Sequence, residues 1–301
     1  MYDVIIVGAG PAGMSAALYL RRALKKVLVL EASSYGGQII NTLDIANYPA
    51  YKKISGFDFA TNLYDQVKEL GAEVLFEKVL DINNGRGRKI VITSKNKYYA
   101  KSVILASGLV NRHLNLSKEQ EYLGKGISYC ATCDGAFYKE KTVAVVGGGN
   151  TALEDALYLA DLAKKVYLIH RRHEFRADAN TIYLLKEKDN VEFIYESEIT
   201  KLIGDDYLRQ IEITDSSGKK SNLQIDGLFI AIGKIPETDY CKSIKKDING
   251  YIIAKENMHT NIKGIFVAGD VRTKSLRQLV TATNDGAVSA TEAIKYLNKI
   301  I

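Results

Sequence analysis

The hydrophobic positions of this chain fall into short β-branched runs joined by glycine turns and helical stretches, and one such pattern occurs twice. Residues 3–31, DVIIVGAGPAGMSAALYLRRALKKVLVLE, align without a gap on residues 142–170, TVAVVGGGNTALEDALYLADLAKKVYLIH. The offset is constant at 142 − 3 = 139 residues, and identical pairs include Val4/Val143, Val7/Val146, Gly8/Gly147, Gly10/Gly149, Ala17/Ala156, Leu20/Leu159 and Val27/Val166. Each copy predicts a strand, a glycine turn, a helix and a second strand, which is a βαβ unit. Further on, VEFIYES, LRQIEITD and GLFIAIG read as strands, the last running into the breaker Gly233-Lys234-Ile235-Pro236. Residues 276–299 carry a long apolar face at helical spacing and predict a C-terminal helix packed on the core.

Two such units in 301 residues suggest two domains of α/β class. The expected fold is a pair of Rossmann-like, three-layer ββα nucleotide-binding domains, the second inserted into the first. Residues 1–112 and 245–301 are expected to form the first domain, and residues 113–244 the second.

The glycines carry the chemistry of these turns. Gly8 and Gly147 allow the tight turn, Gly10 and Gly149 let the backbone approach a pyrophosphate, and Gly13 and Ala152 permit close helix–strand packing. Phosphates then lie at a helix N-terminus, where free N–H groups and the helix dipole favour negative charge. A lone GxGxxG is a weak signal, because glycine turns are common; two in register between a strand and a helix are a strong one. The copies differ at the end of the second strand. Glu31, 31 − 8 = 23 residues after Gly8, can accept hydrogen bonds from a ribose diol. The second copy places His170 there, 170 − 147 = 23 residues after Gly147, followed by Arg171, Arg172 and Arg176. Guanidinium groups bind a 2′-phosphate in a charge-assisted fork that a carboxylate would repel. The first site therefore suits an adenine dinucleotide with a free ribose and the second NADPH; a solvated basic edge is the plainer reading of the arginines.

Composition narrows the setting. At 47% hydrophobic and 25% charged residues the chain is an ordinary globular protein, able to fold without disulfides. The net charge of +6 is scattered, whereas a nucleic-acid reader more often shows a clustered basic stripe. No apolar run approaches the roughly 20 residues of a membrane helix, and MYDVIIVGAG has neither the basic start nor the apolar core of a secretory signal. Three cysteines argue against a secreted disulfide framework, so a cytoplasmic protein is expected.

Two of those cysteines, Cys130 and Cys133, lie in SYCATCDG, beginning 147 − 130 = 17 residues before Gly147. A structural zinc site needs about four ligands, and neither Cys241 nor the four histidines supply a matching set. A redox pair fits better, since a CxxC turn keeps both sulfurs close and depresses one thiol pKa; two ordinary buried thiols are the plain alternative.

GAGPAG, SYCATCDG, GGGNTALEDA, HRRHEFRA and IFVAGDVRTKSLRQLVTATNDGA occur here in the order found in low-molecular-weight, bacterial-type thioredoxin reductases, class II pyridine nucleotide-disulfide oxidoreductases. The chain resembles that family over nearly its whole length. The resemblance implies FAD at the first turn, NADPH at the second, and a redox disulfide between Cys130 and Cys133. It also implies that Cys133 faces the flavin, Cys130 attacks the protein substrate, and Asp134 is the acid–base residue. It extends the flavin site to Pro11, Ala12, Ala32, Gly37, Gln38, Asn47, Val79, Gly269, Asp270, Arg277, Gln278 and Leu279, and the NADPH site to Asn150 and Thr151. Cys241 matches no catalytic position and is expected to be a structural thiol. Two segments depart from the pattern. Residues 106–116, ASGLVNRHLNL, lack the proline and the Pro-Gly-Glu that usually follow the family's Thr-Gly, and Ala50 stands where glycine is more usual. Neither departure touches the sulfurs, the glycine turns or the arginines.

The implied reaction passes two electrons from NADPH through FAD to the disulfide and then, by thiol exchange, to oxidised thioredoxin. The nicotinamide and the disulfide cannot share one face of the flavin, so the family's answer, rotation of the inserted domain, is expected, as is a homodimer. A related reductase serving a peroxidase or glutaredoxin-like carrier, and a non-catalytic nucleotide or redox sensor, are the alternatives. Carrier-fused relatives would carry an extra N-terminal domain, and this chain opens directly on the first nucleotide strand.

Overall fold

The computed structural model describes residues 1–42, 44–85 and 87–300. The first repeat opens the chain with strand β1 (Tyr2–Val7), helix α1 (Pro11–Arg22) and strand β2 (Val27–Glu31). Helix α2 (Gly56–Glu69) follows, N-capped by Ser55, whose Oγ accepts the Asp58 amide. Strands β3 (Glu73–Phe76), β4 (Val79–Gly85), β5 (Arg88–Thr93), β6 (Lys97–Leu105) and the short β7 (Leu109–Asn111) complete the N-terminal run.

The next run begins with β8 (Ile127–Ser128) and a single helical turn, α3 (Ala131–Asp134). The second repeat gives β9 (Thr142–Gly147), α4 (Asn150–Ala160) and β10 (Lys165–Ile169). Helix α5 (Ala179–Lys186) leads to β11 (Val191–Ile194), β12 (Ser197–Gly204), β13 (Leu208–Asp215), β14 (Lys220–Gln224) and β15 (Gly227–Ala231). The chain ends with β16 (Lys234–Pro236), β17 (Ile265–Val267) and the long α6 (Leu279–Lys299).

Two compact units result, Met1–Val110 with Ile235–Ile301, and Asn111–Lys234. In the first, β3-β2-β1-β6 form a sheet, extended by β17 on β6 and by the antiparallel β5 and β4. Strand alternation assigns the two faces of β1: Val4 and Ile6 pack beneath the helices with Met14, Ala17 and Leu20, while Ile5 and Val7 pack with Val79, Ile82 and Val91 of the antiparallel strands. The second unit repeats the scheme with order β11-β10-β9-β15-β8. There Val143 and Val145 lie with Leu153, Ala156 and Leu159 of α4, whereas Ala144 and Val146 face the three-stranded sheet β12-β13-β14. The 139-residue repeat is thus a repeat of core packing, position by position. Each unit has helices, parallel sheet and antiparallel strands in the expected three layers.

The expected return crossing at 244/245 differs from the division of the compact units at 234/235. Tyr240, Cys241 and Ile244 are buried with Ile5, Val7 and Leu28, so residues 235–244 belong to the first unit's core. The expected breaker is also more ordered than it reads. Gly233 turns the chain at φ 98°, but Lys234–Pro236 forms a strand paired with β7. Among the described residues no helix is long and apolar enough to cross a membrane.

Candidate active site

The glycine turns share a construction. A side chain on Gly8, at φ 106°, would collide with the Ala106 carbonyl, and one on Gly13 with the Gly8 carbonyl, so both glycines are required by packing. Gly10 and Gly149 are different. A Cβ on Gly10 would meet nothing closer than Gly37 Cα at 3.9 Å, and one on Gly149 nothing within 4 Å. Helices α1 and α4 both start here without a side-chain cap. Bare backbone facing open space, beside uncapped helical amides, fits the close approach of a phosphate at each turn.

Around the first turn, the structure brings some of the expected flavin positions together. Gly37 lies against Gly10, and Gly269 against Ala12, both within van der Waals reach of the start of α1. Gly8, Glu31, Ala32 and Val79 line a common cleft. Glu31, which lines that cleft, accepts the Ala9 amide at 2.8 Å and the Ser33 amide at 3.0 Å, and these bonds fix its carboxylate. Asn47 donates to Gln278 Oε1 at 3.2 Å, while Arg277 stacks over Tyr251 at 4.1 Å and faces the Asp270 carbonyl. Gln38 donates to the Leu109 carbonyl, and Leu279 is buried at the head of α6 with Ile45 and Phe59.

Behind Gly269–Asp270 sits a charged network that the sequence did not announce. Asp285 accepts from Gly269 N, Arg272 Nε (2.8 Å), Arg272 Nη2 (3.0 Å) and Lys274 Nζ (2.9 Å), with both Arg272 and Asp285 buried. Burial pushes the Asp285 carboxyl up, but these hydrogen bonds and the two cations outweigh it and hold it below the usual carboxylate range.

At the second turn, His170 is buried against Gly148, where any side chain would overlap the imidazole. Its Nε2 is 3.0 Å from the Glu174 carbonyl oxygen, and the ring stacks on Phe175. Burial, together with Arg172 and Arg171, lowers its pKa below the usual histidine value despite that carbonyl. The Arg176 amide donates to the Gly148 carbonyl at 2.7 Å, tying the arginine segment to the turn. Asn150 and Asp178 exchange hydrogen bonds of 3.1 and 2.9 Å, while Thr151 is exposed. Arg171, Arg172 and Arg176 are exposed, and among the described residues no carboxylate pairs with them. They are available to a ligand.

The sulfurs lie in the same unit. Cys130 and Cys133 form a disulfide, S–S 2.07 Å and Cα–Cα 5.3 Å, across α3. Cys130 is half-buried and its Sγ accepts the Cys133 amide at 3.2 Å, whereas Cys133 is exposed. Asp134 N donates to the Cys130 carbonyl, and Ser128 Oγ is 2.6 Å from Asp134 Oδ2. No group of metal-ligating side chains occurs among the described residues. Cys241 is a buried free thiol, pushed up to about 11 by burial.

Residues 2–286 match the family model for pyridine nucleotide-disulphide oxidoreductases. A thioredoxin reductase from Peptoclostridium acidaminophilum is 42% identical over 307 residues, covering 99% of this chain and 97% of that one. One from Listeria innocua is 40% identical over 303 residues, covering 100% and 95%. The crystal structure of Lactococcus lactis thioredoxin reductase in its FR conformation has TM-score 0.89 and 37% identity, covering 99% of this chain and 100% of that one. The chain belongs to the thioredoxin reductase family.

The stretch 106–116, which departs from the family pattern, is held at its C-terminal end by side chains that follow it. Glu119, buried, accepts the Leu114 and Leu116 amides and the Tyr129 hydroxyl, and His113 Nδ1 lies 2.6 Å from that hydroxyl. Lys78, Ser107, Glu237 and Tyr240 line the cleft beside Glu31 and were not foreseen. Tyr240 donates to Ser107 Oγ at 2.8 Å, and Ser107 to the Glu237 carbonyl at 2.7 Å. A hydrophobic pattern carries no sign of such pairings between residues 130 or more positions apart.

Proposed function

We propose that this chain is an NADPH-dependent thioredoxin reductase that binds FAD in the first unit and NADPH in the second and reduces thioredoxin through Cys130 and Cys133. The carrying observation is the Cys130–Cys133 disulfide, with Asp134 adjoining it, in the unit that also holds the unpaired arginines.

FAD, when bound, supplies a two-electron carrier between the nicotinamide and the sulfurs. The chain's residues do the rest. The amides at the start of α1, with Gly10 and Gly37, would hold the flavin pyrophosphate, and Glu31 would accept from its ribose. The amides at the start of α4 receive the NADPH pyrophosphate, and Arg171, Arg172 and Arg176 hold the 2′-phosphate. His170 supports the turn from beneath, since its ring is buried against Gly148.

Reduction opens the disulfide with two electrons and yields a dithiol. Cys130 is the attacking sulfur, because the Cys133 amide already donates to its Sγ and stabilises a thiolate there. It bonds to one carrier sulfur and expels the other; Cys133 then attacks Cys130 and releases the reduced carrier. Asp134 exchanges the proton. Rotation of the second domain between the half-reactions, a homodimeric assembly and a cytoplasmic setting complete the proposal. Crosslinking the two domains is expected to stop NADPH-driven thioredoxin reduction.

The deciding experiment is direct. The purified protein should be yellow, NADPH should bleach it, and thioredoxin should restore the colour. Turnover only with a peroxidase or glutaredoxin-like carrier would reassign the partner, and a colourless protein that merely binds nucleotide would make it a sensor.

A further inference from the structure

Ser128 Oγ stands among three polar groups of the disulfide turn. The Cys130 amide donates to it at 3.0 Å, Asp134 Oδ2 lies at 2.6 Å, and the Cys130 carbonyl oxygen at 3.2 Å. The residue is buried at the end of β8, paired with the buried Phe229 of β15, so the hydroxyl has a fixed position. A serine hydroxyl has one proton and two acceptor lone pairs. It cannot donate to Asp134 and to the Cys130 carbonyl at once.

That shortage gives the group two complete arrangements. With Asp134 ionised, Ser128 accepts the Cys130 amide and donates to Oδ2. With Asp134 protonated, the carboxyl donates to Ser128 Oγ, which still accepts the Cys130 amide and turns its own proton to the Cys130 carbonyl. Every hydrogen bond the serine can donate is made in both states, and Asp134 keeps its place in both.

We infer that Ser128 is a positioning residue for proton transfer at the disulfide, redirecting its one proton as Asp134 gains or loses its own. The exchange served is Asp134–COO⁻ plus cysteine thiol going to Asp134–COOH plus thiolate; one proton moves, and no electron does. The inference rests on the acid–base role proposed for Asp134.

The test uses holoenzyme carrying Ser128→Ala, Ser128→Thr or Asp134→Asn. One readout is steady-state thioredoxin reduction. The other is the pH dependence of iodoacetamide alkylation of Cys130 and Cys133 after anaerobic reduction with dithiothreitol. Ser128→Ala is expected to lower kcat about tenfold, the loss typical of one charge-assisted hydrogen bond. KM and NADPH-driven bleaching should hold, and the alkylation profile should move to higher pH. Ser128→Thr, which keeps the hydroxyl, should restore both readouts. Wild-type kcat and alkylation profile in Ser128→Ala overturn the inference. So does a Ser128→Thr protein that melts like wild type yet behaves like the alanine variant. If Asp134→Asn turns over at the wild-type rate, the acid–base role falls and takes the inference with it. If Asp134→Asn is impaired and Ser128→Ala is not, the inference alone falls.

Discussion

The imidazole of His170 occupies the space that a side chain at residue 148 would need. At the equivalent place in the first repeat, 139 residues earlier, Glu31 holds the Ala9 amide at 2.8 Å, and Ala9 keeps its Cβ. One architectural position therefore serves as a carboxylate latch in one unit and as a ring support in the other, and residues 9 and 148 differ to suit it.

Gly148→Ala should displace His170 and with it the Arg176 segment that hangs on the Gly148 carbonyl. Overpacking of this kind costs about 1–3 kcal/mol. The expected outcome is weaker NADPH binding with flavin content unchanged, read by titration calorimetry and the visible spectrum.

The same histidine predicts a pH dependence. Its folded pKa lies below the unfolded value of about 6.5, so the unfolded chain binds the extra proton first. Its contribution to stability is complete above that value and declines as pH falls through it, by at most about 1.4 kcal/mol per pH unit. Melting followed between pH 7.5 and 5.5 should show the decline, and His170→Gln should flatten it.

Arg171 and Arg172 changed together to Ala should weaken NADPH selectively, by about 1.5–3 kcal/mol for each lost contact to charge. NADH use should hardly change. The ratio of kcat/KM for the two nucleotides measures this, and an unaltered ratio would remove the arginines from the site.

Asp285→Ala removes the carboxylate that Arg272 and Lys274 share, leaving, among the described residues, Arg272 only the exposed carboxylate of Glu256 at 3.5 Å and Lys274 only that of Asp270 at 3.9 Å. Breaking a buried pair in this way costs about 3–5 kcal/mol. Because Asp285 also holds the Gly269 amide, the variant should lose flavin during purification, visible as a lower flavin-to-protein absorbance ratio.

Much of the architecture was legible because it is written in local periodicity. The repeat, the glycine turns, Glu31 and the CxxC pair are short-range patterns. What was not legible depends on distant neighbours. From sequence, residues 235–244 are expected in the second domain, yet Tyr240 and Cys241 pack in the first core with Ile5 and Leu28. Ser128 and Asp285 are ordinary letters until the fold brings Asp134 to one and Arg272 to the other. His170 reads as an NADPH-site residue because of where the strand ends. The clue that its ring turns inward was Gly148 standing in the place of Ala9.

The most direct measurement is an anaerobic titration of the oxidised protein with NADPH, following flavin absorbance and free thiols together. Two rapidly reactive thiols should appear as reducing equivalents enter, with Cys241 silent because its thiol is buried and pushed up to about 11. Cys133→Ser should bleach without yielding that pair and should not reduce thioredoxin. Thioredoxin reduction that survives the loss of either sulfur, or a protein that NADPH cannot bleach, would contradict the account.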